Sequence, residues 1–232
     1  MSYSELSPAP IAETIALLAQ RIRERFPESG LARVADELIR VADENARVVA
    51  QLGHPVYWLR ALTVLAIAAL VALVLWAVAQ ILTIARTGDA SLTELLQGAD
   101  AGTNLIILLA IAILFLVSLE TRLKRRTALG MLHRLRSIAH VVDMHQLTKD
   151  PEHATRAVPR TASSPARELD AGQLARYLDY CSELLALTSK LAALQAQHLQ
   201  DPVVLDAVND IESLTADLSR KIWQKITILD TR

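Results

Sequence analysis

Hydrophobic and polar positions along this chain follow two different modes: long runs with no charge, and stripes spaced by threes and fours. Ala61 to Ala85 forms a 25-residue run without one ionic side chain, and Gln80 is its only strongly polar group. As a helix this run rises about 37 Å, against roughly 30 Å of bilayer hydrocarbon. Ala101 to Leu119 is charge-free for 19 residues and long enough to span as well. The pattern predicts a transmembrane hairpin, with one span over 56–86, a second over 101–121 and a short outer loop over 87–100 between them.

The rest of the chain is striped. Ile11, Ile15, Leu18, Ile22 and Phe26 share one helical face, and Pro27-Glu28-Ser29-Gly30 breaks the pattern. Leu31, Val34, Leu38, Val41, Asn45, Val48 and Leu52 then repeat in alternating threes and fours, as in a coiled-coil seam with one polar member. A buried Asn45 at such a seam would set register and partner number; in an ordinary bundle helix it would reach water at the edge of the core. Beyond the second span Leu132, Leu135, Ile138, Ala139 and Val142 continue a stripe that stops near Asp150-Pro151. The stretch from Pro151 to Gly172 is rich in Pro, Ala and Ser without apolar period, and reads as a linker. Two more helices follow, one carrying Tyr180, Leu184, Leu187, Leu191 and Leu194. The other carries Val204, Val208, Ile211, Thr215, Leu218, Ile222 and Leu229, with Trp223 placed to help cover the seam. Between them Asp201 stands as N-cap and Pro202 as first helical residue, which forces an antiparallel hairpin.

The predicted fold is therefore all-α. It comprises an N-terminal helical hairpin over 1–55, the two spans, a basic juxtamembrane helix over 122–148, a linker over 149–172 and a C-terminal hairpin over 173–232. Neither terminal hairpin encloses a core alone. The economical arrangement packs the two together as a cytoplasmic four-helix bundle, with oligomerisation through the same faces as the competing arrangement. In the outer loop Ser91-Leu92-Thr93-Glu94 matches a capping box and Gly98 can end the turn, giving a turn or two of helix at the outer surface.

Charge orients the hairpin. The loop between the spans carries Asp89, Glu94 and Asp100 against Arg86 alone. From Thr121 to Val142 the chain holds Arg122, Lys124, Arg125, Arg126, Arg134 and Arg136 with no acidic residue. The positive-inside rule puts both termini in the cytoplasm, with Tyr57 and Trp58 at the inner interface. The N-terminal segment has no apolar core of signal-peptide type, so the first span reads as an uncleaved anchor. Absence of a targeting peptide and preference for Arg over Lys point to a bacterial inner membrane. A net charge of −1 removes any global basic field for nucleic acid.

Candidate chemistry is sparse. Arg122, Lys124, Arg125 and Arg126 can contact anionic lipid headgroups, and Glu120 pairs naturally with Lys124 four residues on. Ala68 and Ala72, with Ala61 and Ala79, form a small-residue face for close helix packing, which the short loop assigns mostly to the neighbouring span. Together with Leu38 and Asn45 these are the expected packing or oligomer contacts. His133, His140, His145 and His153 cluster around Asp143, yet lack the i, i+4 pairing of helical zinc sites, and interfacial or solvent-facing histidines explain them. The single cysteine, Cys181, lies in a helical pattern without a partner and reads as a buried thiol. No phosphate loop, nucleophile elbow or C-x-x-C pair occurs, so no catalytic, cofactor or metal residue is assigned and the chain is not expected to be an enzyme. The sequence leads to an oligomeric two-span protein offering its cytoplasmic bundle to a protein partner as a scaffold or docking surface. A small oligomeric channel is the alternative, although only Gln80, Asn104, Thr63, Thr83 and Ser118 could line it. A signal relay from the second span into the bundle across Gly130 is the third reading.

Overall fold

The computed structural model describes residues 5–87, 92–149, 151 and 169–230, and among them every regular element is a helix. The helices are α1 (Pro8–Arg25), α2 (Gly30–Gly53), α3 (Tyr57–Thr87), α4 (Leu92–Leu147), α5 (Ala171–His198) and α6 (Pro202–Asp230). They fall into two compact units, to both of which α4 contributes. One unit comprises the chain up to Gly53 and from Arg125 onward; the other comprises His54–Lys124.

In the first unit each helix end has a local cause. α1 opens on Pro8 after Ser7, and the Phe26 N–H closes it on the Ile22 carbonyl at 2.8 Å. The chain then reverses through Glu28, whose φ of 62° is left-handed, and the Ser29 hydroxyl accepts the Ala32 N–H at 3.1 Å to start α2. α5 opens on a complete capping box in which Asp170 and Gln173 each accept the other's backbone N–H, at 2.7 and 3.1 Å. At α6 the Asp201 carboxylate accepts the Val203 and Val204 N–H groups at 3.1 and 3.3 Å, so the expected cap before Pro202 is in place.

The core of this unit is shared by five helical segments, not the four of the expected bundle. α1, α2, α5 and α6 are joined by the end of α4, which adds Ala128, Met131, Leu132, Leu135, Ile138, Ala139 and Val142. α5 is the central helix. Beyond the expected stripe it buries Leu174, Tyr177, Leu178, Cys181, Leu185, Thr188, Ala192 and Gln195, and it packs on α1, α2 and α6. α2 likewise buries a second column, Ala32, Ala35, Ala42 and Val49, next to the predicted seam. Val48, placed in that seam by sequence, is only half-buried, and Val49 is the residue enclosed. Such a broad buried face belongs to a bundle interior, whereas a coiled-coil seam is narrow. At one end the Phe26 ring meets Tyr177 and Tyr180 edge-on, with centroids 5.3 and 6.2 Å apart. Trp223 does not cover the seam as expected; it is exposed while its neighbours Ile222 and Ile226 point inward.

The second unit is built from α3 and the first part of α4, two helices long and apolar enough to cross a bilayer. Half-buried Thr63, Ala66, Leu70, Leu73 and Ala77 mark one face of α3. Half-buried Gly102, Leu109, Ala110, Ile113 and Leu116 mark the answering face of α4. Ala61, Ala68, Ala72 and Ala79 are exposed on other faces, so the small-residue face is not the one turned to the neighbouring helix. The expected break at Gly98 is also absent, since α4 runs unbroken from Leu92 through Gly98 and Gly102. A glycine costs about 1 kcal/mol relative to alanine inside a helix, and no proline follows to enforce a stop. Ser91, the proposed start of that capping box, lies outside the described residues, as does the linker between Glu152 and Glu168.

Candidate functional site

The residues with distinctive chemistry fall into four places, beginning with the basic cluster. Its four members have different fates. In the second unit Lys124 contacts the Glu120 carboxylate at 3.2 Å, as expected. The same carboxylate accepts the Arg60 Nε–H and the Val56 backbone N–H, each at 3.3 Å, so Glu120 ties the start of α3 to α4. In the first unit Arg125 donates from Nε at 3.0 Å and from its terminal nitrogen at 2.6 Å, both to Asp201 Oδ2. Asp201 is 4% exposed, and the Arg125 hydrogen bonds hold its carboxyl below the usual carboxylate range. Arg122 and Arg126 remain exposed. The cluster of four cations is thus reduced to two exposed ones, because Glu120 one turn back on α4 engages Lys124 and Asp201 of α6 engages Arg125.

The second place is the polar layer around Asn45, which is fully buried. Its amide donates to the Leu191 carbonyl at 3.0 Å, and its oxygen accepts the Gln195 amide of α5. Gln195 is itself fully buried, and its own oxygen has no hydrogen-bond partner. Asn45 therefore reaches neither a second copy nor water at the core edge; α5 of the same chain satisfies it. Leu38, also fully buried, lies in the same core. Sequence reading missed Gln195 because it followed only one face of α5.

The third place is the end of α4. His133 and His140 are exposed, whereas the His145 ring lies over Gly30, so close that an added Cβ would collide with its Cε1. Burial lowers the His145 pKa, and the nearby charges of Arg33 and Lys149 lower it further. His153 lies outside the described residues. Among the described residues no three His, Cys, Asp or Glu side chains come together as a metal-binding group. Beyond His145, Lys225 of α6 donates to the Gln146 and Lys149 carbonyls at 2.9 and 3.4 Å, capping the end of α4 with a cation. Cys181 is fully buried on α5, and burial pushes its thiol up to about 12. A thiol so held is a protonated core group at neutral pH.

The fourth place is the outward surface of α3 and α4. Leu65, Leu75, Leu108 and Leu114 are each about two-thirds exposed, at 69%, 65%, 64% and 70%. Val64, Val71, Trp76, Ile107, Ile111 and Phe115 are exposed beside them. At the start of α3, Tyr57 and Trp58 are exposed too. A continuous apolar belt of this extent marks a surface covered by lipid or protein.

Compared with known proteins, the chain matches no family model, no curated protein and no solved structure.

Proposed function

We propose that the chain is a non-catalytic, two-span integral membrane protein of a bacterial inner membrane, assembling as an oligomer and presenting its helical bundle to a protein partner in the cytoplasm. The observation that carries this reading is the outward apolar belt of α3 and α4, interrupted by no charged residue between Arg60 and Arg86 or between Asp100 and Glu120. Arg122 and Arg126, exposed just past the second apolar run, support an inward placement of that end and contact with anionic headgroups. The α2 seam is already filled by α5, so the oligomer uses other surfaces. The exposed alanine face of α3 and the outward Trp223, beside a shallow groove formed with Ala175, Arg176 and Asp179, are the ones on offer. A relay of signal is the second reading, favoured by the continuity of α4 through Gly130.

The test is fractionation followed by topology mapping. The protein should resist alkaline extraction from membranes, C-terminal reporter fusions should report a cytoplasmic tail, and crosslinking in native membranes should trap a discrete ladder. Release of the intact chain into the aqueous fraction would overturn the membrane assignment. A monomer with no crosslinked species would overturn assembly alone.

A further inference from the structure

Resting on the membrane reading above, the geometry points to a specific seating of the hairpin: a lipid-buried slab ends at Gln80 and Asp100, and the helices beyond it lie in the outer headgroup layer. The Glu120 tie to Arg60 and Val56 sets the level of α3 against α4 at one end. From there half-buried Ala66, Leu70 and Ala77 climb α3 while half-buried Ile113, Ala110 and Gly102 descend α4 at the same pace. Twenty residues from the tie on each helix stand Gln80 and Asp100, both exposed. Twenty residues of helix rise about 30 Å, the thickness of a hydrocarbon core.

This register changes what the 25-residue charge-free run of α3 means. Its last five residues, Ile81 to Ala85, stand beyond the level of Asp100 on the partner helix. Sinking them into acyl chains would drag the Asp100 carboxylate in as well, and an ionised carboxylate is among the least tolerated groups there. α3 continues seven residues past Gln80 to Thr87, about 10 Å, and α4 begins eight residues before Asp100 at Leu92, about 12 Å. The headgroup layer of one leaflet is roughly 5 to 8 Å deep, so it takes up most of this extension. In it stand exposed Leu82 and Leu96 beside exposed Thr83, Thr93 and Gln97. With Arg86 and Glu94 in the same two stretches of sequence, this mixture of apolar, neutral polar and charged groups suits an interface where chain ends meet headgroups.

Single cysteines at Leu75, Leu82 and Leu96, and at exposed His133 as a water reference, test the seating in the full chain carrying Cys181→Ser, or Cys181→Ala should the first fold poorly. Each is reconstituted in phosphatidylcholine vesicles, probed for its rate with a charged maleimide and, after labelling with a fluorescent maleimide, for quenching by nitroxides fixed at headgroup or mid-chain depth. Leu75→Cys should react at least tenfold more slowly than His133→Cys and be quenched from mid-chain. Leu82→Cys and Leu96→Cys should react at an intermediate rate and be quenched best from the headgroup. If Leu82→Cys is as protected as Leu75→Cys and quenched from mid-chain, the slab extends along the whole charge-free run and the proposed boundary is wrong. If Leu82→Cys and Leu96→Cys match His133→Cys in rate and escape both quenchers, the extension stands in water and the headgroup contact is wrong. Loss of protection at Leu75→Cys too would instead strike the membrane reading itself.

Discussion

Arg125 and Asp201, distant in sequence, meet as a charge-assisted pair in which both guanidinium donors converge on one carboxylate oxygen while the other oxygen caps α6. The carboxylate is buried and the guanidinium about one-third exposed. Replacing Arg125 by Met leaves an uncompensated carboxylate, for which a fully buried pair would lose 3 to 5 kcal/mol; partial exposure reduces the expected loss to about 1 to 3 kcal/mol. Asp201→Ala should cost a similar amount, because cap and ion pair vanish together. Chemical unfolding of the full chain in mild detergent, followed by far-ultraviolet circular dichroism, measures both.

The same pair makes stability depend on acid. Its folded carboxyl titrates below the ordinary carboxylate range, near 4, so the unfolded chain takes up the proton first as pH falls. The stabilisation is complete above the ordinary range and disappears as pH drops through the lowered folded value. A thermal-midpoint profile should decline over that window, and Asp201→Asn should flatten part of the decline while lowering the plateau. Equal slopes in both proteins would remove the pair as a cause.

Asn45 and Gln195 form a second coupled pair, buried among aliphatic side chains. Asn45→Ala should destabilise by about 2 to 4 kcal/mol, since it opens a void and strands the Gln195 amide. The double replacement Asn45→Leu with Gln195→Leu removes both side-chain amides at once and leaves the Leu191 carbonyl to its own helix, so it is expected to be near neutral or stabilising. A double-mutant cycle on unfolding free energy should therefore show non-additivity above 1 kcal/mol. Additive losses would mean that the two amides act independently.

Much of this architecture was readable before the fold. The stripes of α1, α6 and the end of α4, the Asp201 cap and the Glu120–Lys124 pair all follow from local spacing, which chain geometry alone converts into a face or a turn. What was not readable depends on which face meets which. Leu178, Cys181, Leu185 and Ala192 make a second apolar row on α5, but nothing local says that this helix is surrounded on several sides. The Asn45 partner was equally hidden, because a polar residue in a stripe looks the same whether a second copy or Gln195 answers it. Asp170-x-x-Gln173 carries a capping signal, but it straddles the boundary at 172 between the linker and the hairpin, where composition masks it.

The His145 ring packs directly against Gly30 at the start of α2. An added Cβ would meet three atoms of the imidazole within 3 Å, so Gly30→Ala must push the ring away from the start of α2. The atoms that must give are the far end of the His145 side chain, so the expected loss is about 0.5 to 1.5 kcal/mol, the cost of turning that ring off its preferred rotamer. His145→Ala in the same chain should recover most of it, because the obstacle is gone. The ring also titrates below an ordinary histidine, so its neutral form is the one the fold accepts. Stability from this contact is full above about pH 6.5 and falls as pH drops toward the lowered folded value. Nuclear magnetic resonance titration of His145 in wild-type chain and in Gly30→Ala should show the variant ring returning toward its ordinary range.

Glu28 offers the opposite outcome, a gain. Its φ of 62° places a long side chain in left-handed backbone, which costs an L-residue roughly 1 kcal/mol and glycine almost nothing. Glu28 is exposed, and its neighbour Ser29 supplies the cap of α2 through its own hydroxyl. Changing Glu28 therefore removes strain without removing the contact that starts the helix. Asn tolerates this backbone region and keeps more restriction in the unfolded chain than glycine does, so Glu28→Asn should gain about 0.5 kcal/mol or more. Glu28→Gly should gain less, because its unfolded ensemble is broader, and Glu28→Val should lose stability, because a β-branched side chain fits left-handed backbone worst. The order Asn, Gly, Glu, Val in unfolding midpoint is the expected readout, and a midpoint for Val above that of Asn would show that the turn relaxes out of the left-handed region altogether.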